Sequence, residues 1–139
     1  MYQRILAPLK RDSTDALVVE HAGALARLTG GQVTLLHVVH SHSRDESVYM
    51  EGEASKYLRG WADRLSAQGV RIEGRAVTGE PAESITAFAD QWRADLIVMA
   101  SHGHSEVRHV LVGSVTEDVV RNGHAPVLLV RPSIDQLTA

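Results

Sequence analysis

The sequence predicts an α/β domain built on a single open, doubly wound parallel sheet of five strands with four helices. Short apolar runs alternate strictly with longer amphipathic runs along the chain, which is typical of a parallel sheet covered by helices on both faces. Several of the short runs are nearly continuous in apolar residues, as in strands that are buried on both sides. The 139 residues suffice for one core, so we expect one domain over 1–139, with a frayed tail from about 131.

The predicted elements follow one another with turn or cap residues between them. The strands are Ile5–Ala7, Val33–Val39, Val70–Val77, Asp95–Ala100 and Val127–Val130. The helices are Asp15–Leu28, about Ala54–Leu65, Pro81 to about Trp92, and Ser114–Arg121. Pro81 suits a first helical position, because the N–H that proline lacks has no partner there. The polar stretch His40–Met50 predicts a mobile loop ahead of the second helix.

Composition excludes several classes of function. A net charge of −3 gives no general attraction to nucleic acid or to an anionic membrane. The chain has no cysteine, which excludes disulfides, thiolate metal sites and thiol catalysis. The N-terminus has no long apolar stretch, so we expect no signal peptide, and no run approaches the roughly 20 residues of a membrane helix. We therefore expect a cytoplasmic protein.

The loop after the fourth predicted strand is the best candidate for a ligand site. In open α/β sheets, ligands bind beyond the carboxyl ends of the strands where the strand order reverses, and the first and fourth strands are natural neighbours there. Gly103 permits close approach of the backbone to a ligand. Gly113-Ser114 opens the last helix, whose unpaired N–H groups attract anions, and His104 and Arg108 add positive charge. The sequence therefore predicts a phosphate site.

Residues 100–114 also point to a family. Ala100-Ser101-His102-Gly103, followed by nine residues and Gly113-Ser114, resembles the G-x2-G-x9-G-S/T nucleotide motif of universal stress proteins. The resemblance covers nearly the whole chain and includes Ile5–Pro8, Leu36–Val38, Gly79–Pro81, Asp95–Met99 and Pro126–Val130. Together these segments are specific, whereas two glycines alone are weak evidence. The resemblance implies a Rossmann-like fold of the adenine nucleotide alpha hydrolase type.

The resemblance also implies a ligand, a site and an assembly. The ligand is ATP, ADP or AMP, with Mg²⁺ as an optional companion and without a redox cofactor. The implied site comprises Pro8, Leu9, Lys10, Val38, Met99, Ala100, His102, Gly103, His104, Gly113, Ser114, Val115 and Thr116. Adenine lies among Leu9, Val38 and Met99, and the phosphates lie on Gly103 and on Gly113–Val115. In the family the fifth strand pairs with its mate, so Val127–Val130 is the implied homodimer interface.

This sequence departs from the family pattern at two positions. Ala100 stands where the motif has its first glycine, which tightens the approach to the ribose. Lys10 stands where the family usually has an aspartate, and it reverses the charge that meets the ribose or the base. Asp12 lies two residues further on and is a candidate substitute for that aspartate.

Less specific interpretations compete at the same residues. Ser114-Val115-Thr116-Glu117 is also a capping box, in which Ser114 caps the helix and needs no ligand. The chain has eight histidines, and the pairs His40/His42 and His102/His104 suggest metal ligands. Clustered surface histidines are commoner than metal sites, so we predict none. Gly103-His104-Ser105-Glu106-Val107 lacks the last glycine of the nucleophile elbow G-x-S-x-G, and no G-K-S/T occurs, so we predict no catalytic residue.

Three functions remain open on the sequence. The first is a homodimer that binds an adenine nucleotide and acts through unknown protein partners in stress physiology; the stress role comes from the resemblance alone. The second is a slow ATPase or phosphotransferase, for which Glu106 and Asp12 are the nearest acids. The third is a nucleotide-free dimeric interaction module, favoured if Lys10 and Ala100 spoil the pocket.

Overall fold

The computed structural model describes residues 1–101 and 113–132. Within them the strands are β1 (Arg4–Pro8), β2 (Gln32–Val39), β3 (Arg71–Thr78), β4 (Leu96–Ala100) and β5 (Val127–Val130). The helices are α1 (Asp15–Thr29), α2 (Arg44–Ser66), α3 (Pro81–Trp92) and α4 (Ser114–Asn122). All strand pairs are parallel, in the order β3-β2-β1-β4-β5, so the predicted doubly wound five-stranded sheet is confirmed.

Two apolar clusters hold the layers together, one on each face of the sheet. The first joins α1 and α2 to the strands through residues such as Val18, Leu58 and Leu35. The second joins α3 and α4 to the other face through Ile85, Val119 and Leu36. Because each strand contributes side chains alternately to both clusters, its sequence reads as a continuous apolar run. Among the described residues, no helix combines the length and apolar character that a membrane crossing requires.

The second helix begins ten residues earlier than the sequence predicts. The prediction of a loop over His40–Met50 is wrong from Arg44 onward, where α2 starts. The side chain of Ser43 caps the helix by accepting a hydrogen bond from the Glu46 N–H at 3.1 Å. The first turns carry no apolar stripe, because no residue from 44 to 53 is buried and Val48 and Tyr49 are 66% and 69% exposed. Hydrophobic periodicity therefore could not reveal it.

The start of α4 does not form the capping box that was one interpretation of Ser114–Glu117. Gly113 occupies the N-cap position and Ser114 is the first helical residue, with no side-chain cap hydrogen bond. The capping-box interpretation is therefore wrong. Glu117 does not reach back to the cap and instead pairs with Arg121 one turn further on, at 2.7 Å. The predicted tail lies outside the described residues from 133 on.

Candidate functional site

A cavity of about 240 Å³ opens at the carboxyl edge of the sheet, where β1 lies between β2 and β4. We call this cavity the slot. The order of the strands reverses at this point, which is where open α/β sheets bind their ligands. Its walls come from the ends of β1, β2 and β4 and from the N-terminal parts of α3 and α4: Pro8, Leu9, Lys10, Leu36, His37, Val38, Pro81, Ile85, Met99, Ala100 and Val115.

The structure brings most of the described predicted site residues to the slot. Those that line it are Pro8, Leu9, Lys10, Val38, Met99, Ala100 and Val115. Gly113 and Ser114 lie beside Val115 at the start of α4 without lining the slot themselves. Thr116 is 1% exposed and does not line the slot, so its side chain belongs to the interior. The predicted residues His102, Gly103 and His104 lie outside the described residues.

Four lining residues were missed by the sequence analysis. Leu36 and His37 belong to the β2 end, of which only Val38 was assigned to the site. Pro81 and Ile85 come from α3, which packs on one face of the sheet and lines the slot on that side. The turn Gly79-Glu80-Pro81 after β3 was a usable signal, because the start of a crossover helix lies at the same sheet edge as the strand ends.

The backbone of Val38 offers a donor and an acceptor at the slot. Alternate residues of a parallel strand direct both backbone polar groups to the same neighbouring strand. The Leu36 carbonyl accepts from the Leu9 N–H at 2.8 Å, so the even-numbered residues of β2 face β1. The ladder between β1 and β2 ends at Pro8 and Leu36, and Val38 lies two residues beyond in the same phase. Its N–H and C=O therefore point past the end of β1 toward the slot.

The start of α4 adds a second polar group of donors to the same cavity. Gly113 has φ −67° and ψ 162°, and the first intrahelical bond runs from the Glu117 N–H to the Gly113 carbonyl at 2.9 Å. The N–H groups of the first helical turn, those of residues 114–116, therefore have no partner within the helix. These groups and the positive end of the helix dipole lie where Val115 lines the slot. This end of the slot is suited to an anion.

The buried carboxylate of Asp15 stabilises the loop between β1 and α1. Asp15 is 1% exposed, and its oxygens accept from the Lys10 N–H at 2.9 Å and the Arg11 N–H at 2.8 Å. Arg11 has φ +62°, a left-handed conformation that a non-glycine residue adopts only when its surroundings impose it. The hydroxyl of Tyr57 on α2 donates to the same carboxylate at 2.5 Å. Together these bonds fix the backbone at the rim of the slot.

Burial is the largest cause of the pKa shifts of Asp15 and Tyr57. Loss of solvent raises the pKa of Asp15 above its ordinary value, while the hydrogen bond from Tyr57 opposes that rise. Burial, and next the hydrogen bond to Asp15, raise the pKa of Tyr57 from 10.0 to about 12. The phenol therefore keeps its proton at neutral pH and acts as a donor.

The histidines of the described residues do not form a metal centre. The Nδ1 of His37 lies 2.8 Å from the Leu9 carbonyl oxygen. Since a carbonyl only accepts, Nδ1 carries the hydrogen. His40 and His42 lie edge to face, with ring centroids 5.5 Å apart. Within residues 1–101 and 113–132, no three His, Asp or Glu side chains cluster closely enough to hold an ion.

A second cavity, of about 330 Å³, lies between α3 and α4. Its lining includes the carboxylates of Glu80, Glu83 and Asp118. These carboxylates repel a phosphate, whereas no carboxylate lines the slot among the described residues. The slot is therefore the better candidate for an anionic ligand.

Comparison with known proteins decides the family. The sequence profile named Usp: Universal stress protein family matches residues 1–131. The chain belongs to the universal stress protein family. Universal stress protein MJ0577 of Methanocaldococcus jannaschii is 28% identical over an alignment 155 positions long, which covers 94% of this chain and 96% of that protein. The solved structure of MJ0577 superposes with a TM-score of 0.79 at 30% identity, over 96% of this chain and 98% of the other.

Two solved members of the family hold adenine nucleotides. A universal stress protein in complex with cAMP is 28% identical with a TM-score of 0.78, over 95% of this chain and 99% of the other. The universal stress protein of Archaeoglobus fulgidus in complex with dAMP is 26% identical with a TM-score of 0.70, over 92% and 97%. The fold predicted from the sequence is thus a universal stress protein fold.

Proposed function

We propose that this universal stress protein is a cytoplasmic regulatory protein of the stress response that binds an adenine nucleotide in the slot. The observation that carries the proposal is the slot itself. It has the backbone edge of Val38 at one end and, at the other, the first N–H groups of α4, which have no partner within the helix, with apolar walls between them. Relatives that bind cAMP and dAMP support the same class of ligand.

The Val38 edge favours adenine over guanine. Adenine offers a donor at its amino group next to an acceptor at N1, which matches the carbonyl and the N–H of one backbone residue. Guanine reverses this order and leaves both backbone groups opposed. Leu9 and Met99 supply apolar surface for the faces of the base. A base bound at Val38 directs its ribose across the end of β1 and its phosphates toward α4, as ATP, ADP or AMP.

Calorimetry tests this assignment with one designed pair of variants. We expect the wild-type protein to bind ATP, ADP, AMP or cAMP with a dissociation constant in the micromolar to sub-millimolar range. Gly113→Asp puts a carboxylate against the phosphates and lowers that affinity by about tenfold or more. Gly113→Asn is the matched control, since Asp and Asn are equally good N-cap residues and only Asp carries charge. Absence of heat with all four nucleotides on the wild-type protein would exclude the proposal.

In this proposal the protein is a binding module rather than a dedicated ATPase. Within residues 1–101 and 113–132, no side-chain carboxylate lines the slot to bind Mg²⁺ or to activate water. A magnesium ion that arrives with ATP would take its ligands from phosphate oxygens and water. We expect negligible phosphate release. A turnover near 10 per second, typical of enzymes, would contradict the binding-module assignment.

A homodimer through β5 is part of the proposal. β5 is an edge strand, and Val127, Leu128 and Leu129 are only half-buried in the single chain. The Val130 carbonyl accepts from the Ser101 N–H, so residues 127 and 129 direct their backbone groups to the free edge. An apolar unpaired edge of this kind favours pairing with a second strand. Light scattering should give twice the 15.1 kDa chain mass, and a monomer at micromolar concentration would contradict this pairing.

A further inference from the structure

The carboxylates of Asp12, in the loop between β1 and α1, and of Asp15, the first residue of α1, are both directed to the loop itself. One oxygen of Asp12 accepts from the N–H of Thr14 at 2.9 Å and from its hydroxyl at 2.5 Å, and Asp12 does not line the slot. Asp15 accepts from the N–H groups of Lys10 and Arg11 and lies buried beneath them. Asp12 therefore does not supply the ribose-binding carboxylate that the sequence analysis considered.

The two cationic residues of the loop, Lys10 and Arg11, differ in where they lie relative to the slot. The Arg11 guanidinium lies over the ring of Tyr57 on α2, 5.1 Å from its centroid, and so points away from the slot. Lys10 is exposed and is one of the residues that line the slot. Lys10 takes part in none of the ion pairs found among the described residues. Lys10 is therefore the charge that this loop presents to a ligand.

Lys10 also lies at a defined place along the slot. It follows β1, and β1 separates the Val38 edge on β2 from β4 and the start of α4. A nucleotide with its base at Val38 and its 5′-phosphate at α4 crosses the end of β1 with its ribose. Among the described lining residues, Lys10 alone carries a full charge. Among the described residues that line the slot, the ribose hydroxyls therefore meet an ammonium group and no carboxylate.

An ammonium group changes what this part of the slot selects. A carboxylate at a ribose accepts hydrogen bonds from the free hydroxyls, whereas a basic side chain accommodates a phosphate attached to one of them. Lys10 only donates, and its backbone is fixed by the bond from its N–H to Asp15. An additional ribose phosphate would thus find the single full positive charge among the described residues that line the slot.

We propose that this protein prefers adenine nucleotides that carry a second phosphate on the 2′ or 3′ hydroxyl of the ribose, with Lys10 as the residue that determines this preference. The inference rests on the proposed function, since it uses the same slot and the same orientation of the base. It adds the class of nucleotide that this chain selects.

Calorimetry with three ligands tests the preference: AMP, adenosine 2′,5′-bisphosphate and adenosine 3′,5′-bisphosphate. We expect at least one bisphosphate to bind about tenfold tighter than AMP at low salt, and the advantage to shrink as salt screens the pair. Lys10→Gln should bring the ratio of the bisphosphate and AMP affinities to about one. Lys56→Gln is the matched control, because Lys56 is the only other lysine of the chain and lies 73% exposed on α2.

The outcomes separate this inference from the function on which it rests. If the wild-type protein binds AMP and neither bisphosphate binds more tightly, the role of Lys10 is wrong and nucleotide binding stands. If Lys10→Gln weakens AMP and the bisphosphates by the same factor, Lys10 serves the 5′-phosphate and the inference is also wrong. If none of the three ligands binds, both the inference and the proposed function fail.

Discussion

Replacing Tyr57 by phenylalanine isolates one hydrogen bond that joins α2 to the rim of the slot. The substitution removes the hydroxyl that donates to Asp15 at 2.5 Å and keeps the ring over which the Arg11 guanidinium lies. A hydrogen bond to a charged group contributes about 1.5–3 kcal/mol. Asp15 keeps its two backbone donors, so we expect a loss near the middle of that range, about 2 kcal/mol.

Thermal unfolding followed by circular dichroism measures this loss. For a chain of 139 residues, about 2 kcal/mol corresponds to a fall in Tm of roughly 7 °C. Tyr49→Phe is the matched control, since Tyr49 lies on the same helix and is 69% exposed. A Tm of Tyr57→Phe within about 1 °C of that control would refute the assigned role of the hydroxyl.

The same variant has a second signature at alkaline pH. Because the pKa of Tyr57 rises from 10.0 to about 12, the folded protein holds this proton more tightly than the unfolded chain does. The stabilisation from this difference is complete below pH 10 and is lost as the pH rises toward 12. Ultraviolet titration should show a phenol that ionises at about pH 12, and Tyr57→Phe should remove this step. A titration curve that the substitution leaves unchanged above pH 10 would contradict the burial and bonding described for Tyr57.

Further predictions concern stability at positions away from the slot. Thr34 is fully buried on β2 and its hydroxyl has no partner among the described residues, so Thr34→Val should raise the free energy of unfolding by about 1 kcal/mol; a lower urea midpoint would contradict this. Gly60 lies within α2 with open space around a built Cβ, and Gly60→Ala should add about 0.5–1 kcal/mol. Gly31→Ala should instead lower the urea midpoint, because its Cβ would lie 2.5 Å from the Tyr2 carbonyl oxygen; equal effects of the two alanines would show that local space does not decide the outcome.

The order of the elements was predictable because each depends on a local signal. Val33–Val39 reads as a buried strand in the sequence, and β2 covers these residues. Pro81 marks the first turn of α3, as predicted. The first turns of α2 carry no such signal, since no residue from 44 to 53 is buried and the start of the helix depends on the Ser43 cap. An exposed helical end is fixed by capping and propensity, which periodicity does not record.

The lining of the slot was predictable only for residues at the carboxyl ends of the strands. Leu9, Val38 and Met99 lie at the ends of neighbouring strands, and all three line the slot. The contact between Asp15 and Tyr57 spans 42 positions of the chain and joins two helices, so no local pattern announces it. That contact sets the conformation of the loop that carries Lys10. The charge at the slot is thus visible in the sequence, whereas only the fold shows that Lys10 has no ion-pair partner among the described residues.

A crystal structure of the protein grown with AMP tests the central claim most directly. The account predicts the adenine amino group on the Val38 carbonyl, N1 on the Val38 N–H, and the phosphate on the N–H groups that open α4. An AMP molecule with its base elsewhere, or a slot filled by side chains of the protein at saturating nucleotide, would contradict it.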